Sequence, residues 1–237
     1  MIDYLFVIFL VLLTFFLCYS VIPTLVIRLF NIGITKKMEG GKGIALTFDD
    51  GPDSIYTVQL LDLLKRYNIK ATFFVVGSRA EKNLEILKRM HREGHTIGIH
   101  HYEHVSSWRL TPKRLNEQLN KTKKVIETCT NEEVKFYRPP WGRFNLFSLM
   151  VSKPYKVIMW SDIFGDWKIA TCKKMLLQQL RHTQAEGNIV LLHDNGENPG
   201  ADDQAPMYML EQLAIYVEEC KKKDVHFITL KESLSGR

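Results

Sequence analysis

The chain opens on an apolar run without a charged residue, "YLFVIFLVLLTFFLCYSVI" over residues 4–22. At 1.5 Å per helical residue its length matches the roughly 30 Å hydrocarbon core of a bilayer, so it predicts a membrane-spanning helix. No basic segment precedes it and no Ala-x-Ala-like site follows, which favours an anchor over a cleaved leader. The Gly- and Lys-rich stretch "NIGITKKMEGGKG" has no period and reads as a linker ending near Lys42. The expected organisation is an anchor over residues 1–30, a linker over 31–41 and a catalytic domain over 42–237. Beyond Lys42, short β-rich runs ("GIALTF", "ATFFVV", "TIGIH", "VKFY", "KVIMW", "NIVLL" and "VHFITL") alternate with helical patterns. Ile55, Val58, Leu61, Leu64 and Tyr67 form one apolar stripe, and Leu210, Leu213, Val217 and Cys220 another. This alternation predicts an α/β fold around a mostly parallel sheet, either open or closed into a barrel.

In such folds chemistry gathers in the loops after the strands. Here those loops carry "DDGPD", "HYEHVSSW", "RPPWGRF", "SDIFGDWK" and "HDNGENPGADDQAP". Asp49 and Asp50 stand side by side where a strand ends. Successive strand residues face opposite sides, so both can reach one cleft only if the backbone turns there, and Gly51-Pro52 supplies a turn. Asp53 or Ser54 is better placed to cap the next helix. His100 and His104, four apart, share a face if that segment is helical. Two imidazoles and a carboxylate make an open divalent-metal site. His101 is an alternative to His100, whereas His91 and His95 precede their strand and read as structural.

Composition narrows the partners. The 237 residues carry a net charge of +6, suited to nucleic acid, anionic lipid or an anionic wall polymer. The lysines of "KKVIE" and "CKKKD" read as solvated helix faces, and no basic stripe suits nucleic acid. Cys129, Cys172 and Cys220 lack metal or disulfide spacing, and Cys18 lies in the span. Arg28, Lys36 and Lys37 follow the span while only Asp3 precedes it, which by charge alone would put the domain in the cytoplasm.

Taken in order, TFDDGP, the His-x-x-x-His at 100–104, RPPWG, WSDIFGDW and LLHD resemble the five motifs of NodB-type polysaccharide deacetylases, carbohydrate esterase family 4, over about residues 42–232. The resemblance implies a distorted (β/α) barrel and a divalent metal, zinc with cobalt as the alternative, held by Asp50, His100 and His104. It implies Asp49 as general base oriented by Arg138, and His193 as general acid held and raised in pKa by Asp166. The backbone N–H of Trp141 would meet the oxyanion, and Leu191 and Trp167 would wall the acetyl methyl. Taken singly, Arg138 reads as a structural ion pair, and Leu191 and Trp167 read equally as core or as pocket wall. His101 departs from the family's usual Ser or Thr.

The expectation is a membrane-anchored, metal-dependent deacetylase acting on an N-acetylated envelope glycan, peptidoglycan N-acetylglucosamine foremost, with its domain outside the cell. An O-acetyl esterase and a catalytically silent glycan-binding protein are the alternatives. Neither nucleic acid nor a protein partner is inferred.

Overall fold

The computed structural model describes residues 4–38, 40 and 42–235; Glu39 and Gly41 of the expected linker, and residues 1–3 of the expected anchor, lie outside the described residues. Eight strands follow in chain order: β1 (Ile34–Thr35), β2 (Gly43–Asp49), β3 (Thr72–Val75), β4 (Thr96–Ile99), β5 (Phe136–Tyr137), β6 (Lys156–Ile158), β7 (Asp162–Ile163) and β8 (Glu186–His193). They form one sheet, β1-β6-β5-β4-β3-β2-β8-β7, with every ladder parallel. All seven residues of β2 are buried, as expected for a parallel strand covered on both faces. In the helix Tyr56–Arg66, Leu61 and Leu64 of the expected stripe are fully buried and so is Leu60 beside them, whereas Ile55, just ahead of the helix, is exposed.

The two edges of the sheet approach one another. Just after β1, Met38 N donates to Gly187 O at the start of β8 (2.8 Å). Just after β6, Met159 N donates to Thr35 O (2.8 Å) and Ser161 N to Ile189 O (3.0 Å). The sheet is therefore curled into a distorted barrel of parallel strands, and the C-terminal ends of β2, β4, β5 and β8 open on one end.

Two sequence expectations change. Residues 34–38 of the expected linker pair with β6 and β8; a two-residue strand is too short to show a period. The run "VHFITL" is not a strand. It makes a single bridge, Phe227 to Ile44, and the chain turns helical over Leu230–Ser235. β3 pairs only Thr47, Phe48 and Asp49 of β2, so this segment finds just the first residues of that edge unpaired.

The N-terminal helix also runs longer than the apolar pattern shows, over the 27 residues Tyr4–Phe30. It comprises α1 (Tyr4–Phe16), a wider π-type turn over Leu17–Val21, and α2 (Ile22–Phe30). Pro23 has no N–H and cannot bond the carbonyl four residues back, that of Tyr19. Leu146 N takes that carbonyl instead (2.9 Å). None of α1 is buried, whereas Ser20, Thr24 and Ile27 are. Thr24 Oγ1 accepts from Phe144 N (2.9 Å) and Trp108 Nε1 (2.8 Å) and donates to Phe144 O (2.7 Å). Tyr19 Oη donates to Leu110 O (2.8 Å). The first half of the helix is thus unburied and apolar all round, with Phe16 at its end meeting Trp108 edge-on (5.8 Å), and the second half is bolted to the domain.

Candidate active site

Asp49 is the last residue of β2, and its Oδ1 accepts from Arg138 Nη1 at 2.7 Å. Arg138, fully buried, also donates to Thr47 Oγ1 (2.8 Å), Ile158 O (3.1 Å) and Met159 O (2.9 Å), with Phe74 4.2 Å from its guanidinium carbon. A charge this deep persists because its hydrogen-bond partners are all acceptors and one is a carboxylate.

Asp50 adopts φ 81°, a left-handed backbone unusual for a residue with a side chain. Strand alternation alone would send Asp49 and Asp50 to opposite faces. The reversal at Asp50 returns its carboxylate to the same cleft. The carboxylate of Asp194 packs so closely on Gly51 that a Cβ there would fall 2.3 Å from its Oδ2. Asp194 also accepts from Gly51 N (2.9 Å) and Thr57 Oγ1 (2.5 Å). Asp53 caps the next helix, accepting from Ile55 N and Tyr56 N at 2.7 Å each.

His100 and His104 do meet Asp50, though not through a helix. The segment is a loop in which His101 (φ 61°) and His104 (φ 51°) are both left-handed. His100 Nε2 lies 3.3 Å and His104 Nε2 3.0 Å from Asp50 Oδ1. His100 Nδ1 is 2.7 Å from Arg138 O; a carbonyl only accepts, so the proton sits on Nδ1 and Nε2 turns a lone pair toward Asp50. Asp50 Oδ1 is buried, and none of its contacts has hydrogen-bond geometry. One ligand atom from each of the three residues lies within 4.8 Å of the others. A buried carboxylate oxygen and two imidazole nitrogens thus converge, with no hydrogen bond satisfying the oxygen, and this N,N,O set suits a zinc-like divalent ion. Burial raises the pKa of Asp50, but its neighbours His100, His104 and His193 outweigh that and hold it well below the usual carboxylate range.

His101 does not compete with His100. It is fully buried, its Nδ1 2.7 Å from Val105 O and its Nε2 2.8 Å from Tyr137 Oη. Burial, aided by His100, pushes it down to about 3, so it stays neutral and braces the loop. His95 is structural as well, its Nδ1 accepting from Ala71 N (3.1 Å).

Across the cleft, His193 ends β8. Its Nδ1 lies 2.9 Å from Asp166 Oδ1, and its backbone N donates to Asp166 Oδ2 (2.6 Å). Burial pushes the imidazole down, but Asp166 first and then Asp50 and Asp49 carry it up to about 10. The cleft, about 360 Å³, is lined by Asp49, Asp50, His100, His104, Trp141, Trp167, Leu191 and His193, with Arg138 and Asp166 buried behind it. The Trp141 ring packs at a tilt against His104 (4.4 Å) and the Trp167 ring meets His193 edge-on (5.4 Å).

The sequence did not reveal the residues that hold this set. Asn198 Nδ2 donates to Asp50 Oδ2. Arg79 donates to Asp50 O (2.7 Å) and Asn198 Oδ1 (3.2 Å). Arg28 and Trp160 also line the cleft. Only Asp194, beside His193 in LLHD, carried a signal that could have found it.

A model of the polysaccharide deacetylase family matches residues 36–157. The chain belongs to that family. Two Bacillus cereus peptidoglycan-N-acetylglucosamine deacetylases are similar to it. One is 33% identical over 79% of this chain and 66% of its own length. The other is 34% identical over 81% of this chain and 88% of its own. The crystal structure of the Bc1960 peptidoglycan N-acetylglucosamine deacetylase superposes with a TM-score of 0.74 at 29% identity, covering 87% of this chain and 95% of that one. The curled parallel (β/α) half-barrel is thus the fold of this deacetylase family, whose members are metal-dependent.

Proposed function

We propose that this protein hydrolyses the acetamide of an N-acetylated cell-envelope glycan, with peptidoglycan N-acetylglucosamine as the leading substrate. The observation that carries this reading is one cleft holding the convergent Asp50, His100 and His104 cluster, a carboxylate pinned by Arg138 and an imidazole pinned by Asp166. In it, Asp50, His100 and His104 hold the divalent ion, zinc with cobalt as the alternative. When bound, that ion supplies Lewis acidity, which lowers the pKa of a water and polarises a carbonyl. Asp49 takes the proton from the attacking water, its carboxylate aimed by Arg138. The N–H of Trp141 donates to the oxygen on which negative charge develops. His193, kept charged by Asp166, delivers a proton to the departing amine nitrogen. Leu191 and Trp167 wall the acetyl methyl.

We further propose that the N-terminal helix anchors the chain and that the domain works outside the cell, where the named relatives' substrate lies. The opposing charge bias of Arg28, Lys36 and Lys37 is a tendency that long domains override, since they translocate largely regardless of charge. Acetate release from N-acetylglucosamine polymers and from peptidoglycan, with and without chelator, tests the activity. Release that persists in protein shown to be metal-free would overturn it. Should acetylated xylan release acetate instead, and His193→Ala leave that rate nearly intact, the esterase reading takes its place, since an ester's leaving group needs little protonation.

A further inference from the structure

The N-terminal helix does more than tether the domain. Its second half is fixed by Thr24 and Ile27, and the next residue, Arg28, lines the same cleft as Asp49, Asp50 and His193. The Arg28 guanidinium carbon lies 5.6 Å from the centroid of the Trp160 ring, which forms part of that wall. Among the described residues no carboxylate pairs with Arg28, and both cleft carboxylates are engaged elsewhere, Asp49 by Arg138 and Asp50 by the imidazoles and Asn198. Arg143 repeats the arrangement on the adjoining rim, 4.5 Å from the Trp108 ring and 5.3 Å from the Trp141 ring, again with no acid partner among the described residues. The cleft wall at Arg28, and the surface beside Trp141 at Arg143, thus present half-buried, permanently charged guanidinium groups laid on tryptophan faces. A guanidinium in this position satisfies its charge with an anion from the ligand, and its planar fork fits a carboxylate through two parallel hydrogen bonds.

We propose that Arg28 binds a carboxylate on the glycan beside the acetamide being hydrolysed, as the lactyl group of N-acetylmuramic acid would present it, and so selects a carboxylated glycan over a neutral polymer. The proposal rests on the reading of the cleft as the glycan site. It makes the membrane helix a contributor to specificity.

The test is equilibrium binding to the zinc-loaded full chain in detergent, with two probes: an N-acetylglucosamine–N-acetylmuramic acid disaccharide and its carboxyl methyl ester. Wild type is expected to prefer the acid about tenfold or more, the range of one charge-assisted hydrogen-bonded contact. Arg28→Gln removes that preference by weakening the acid alone, and Arg28→Lys retains part of it. Zinc content and thermal midpoint of each variant report whether it is folded. Equal affinity of wild type for the two probes, no measurable binding of either, or an Arg28→Gln variant that weakens both equally would overturn the proposal. Acetate release is followed separately, so that binding governed by Arg28 without any acetate would refute the deacetylase reading and leave this inference standing.

Discussion

Arg138 Nη1 and Asp49 Oδ1 lie 2.7 Å apart in the interior of the barrel, with the arginine fully buried and the aspartate nearly so. The pair links two strand ends, β2 and β5, far apart in sequence, and fixes the carboxylate that would act as base. Removing one partner leaves an uncompensated buried charge. Arg138→Met is therefore expected to cost about 3–5 kcal/mol of stability, and the double variant with Asp49→Asn to recover much of that. Urea denaturation of the metal-free protein measures both. A loss below about 1 kcal/mol, the range of surface pairs, would show that the pair contributes little.

The imidazole of His193 carries the pH prediction for catalysis. Its proton is held on folding, so the stabilisation is present below the ordinary pKa of 6.5 and is lost as pH rises through about 10. NMR titration of the metal-free protein should find His193 still charged well above neutrality. Asp166→Asn removes the largest favourable partner, so that pKa should drop, and the alkaline limb of the rate profile should move to lower pH. A limb that stays in place would separate His193 from the protonation step.

Much of this site was legible because a few residue types admit few other uses. Asp49-Asp50 before Gly51-Pro52 signalled a crowded carboxylate pair, and Asp53 supplied the helix cap that freed them from that duty. The His100 and His104 spacing pointed to the right pair for a wrong reason, since a loop with two left-handed residues joins them where a helix was expected. Local pattern was blind to β1 and β7, at two residues each, and to the occupied edge that keeps "VHFITL" from becoming a strand. It was blind also to Arg28, because nothing in the sequence of an apolar helix shows where it meets the domain.

His95 gives a stability prediction remote from the cleft. Burial, then Lys70, pushes its pKa down to about 4, with Glu93 opposing and Arg89 assisting. The unfolded chain binds the proton near 6.5, so between about 6.5 and 4 it takes up more protons than the folded one, and stability falls as pH falls. His95→Gln can keep an acceptor for Ala71 N while removing the titration. The stability advantage of wild type over this variant should shrink through that window, and an advantage that stays constant from pH 7 to 4 would refute the assignment.

The docking of α2 rests on the Thr24 hydroxyl, which serves Phe144 N, Phe144 O and Trp108 Nε1. Thr24→Val keeps the shape and leaves those groups unpaired, an expected cost of about 1–3 kcal/mol. Thermal unfolding followed by Trp108 fluorescence measures it. An unchanged midpoint would mean that the helix is not bolted to the domain through this residue.

The central claim is that two adjacent carboxylates divide the labour, Asp50 holding the ion and Asp49 moving the proton. Metal content and turnover measured side by side in Asp49→Asn and Asp50→Ala test it most directly. In Asp49→Asn the account predicts near-wild-type metal content with turnover down by about 10² to 10⁴, and in Asp50→Ala loss of the metal and of activity together. Metal lost from Asp49→Asn but retained by Asp50→Ala would reverse the roles, and unchanged turnover in both would contradict the account.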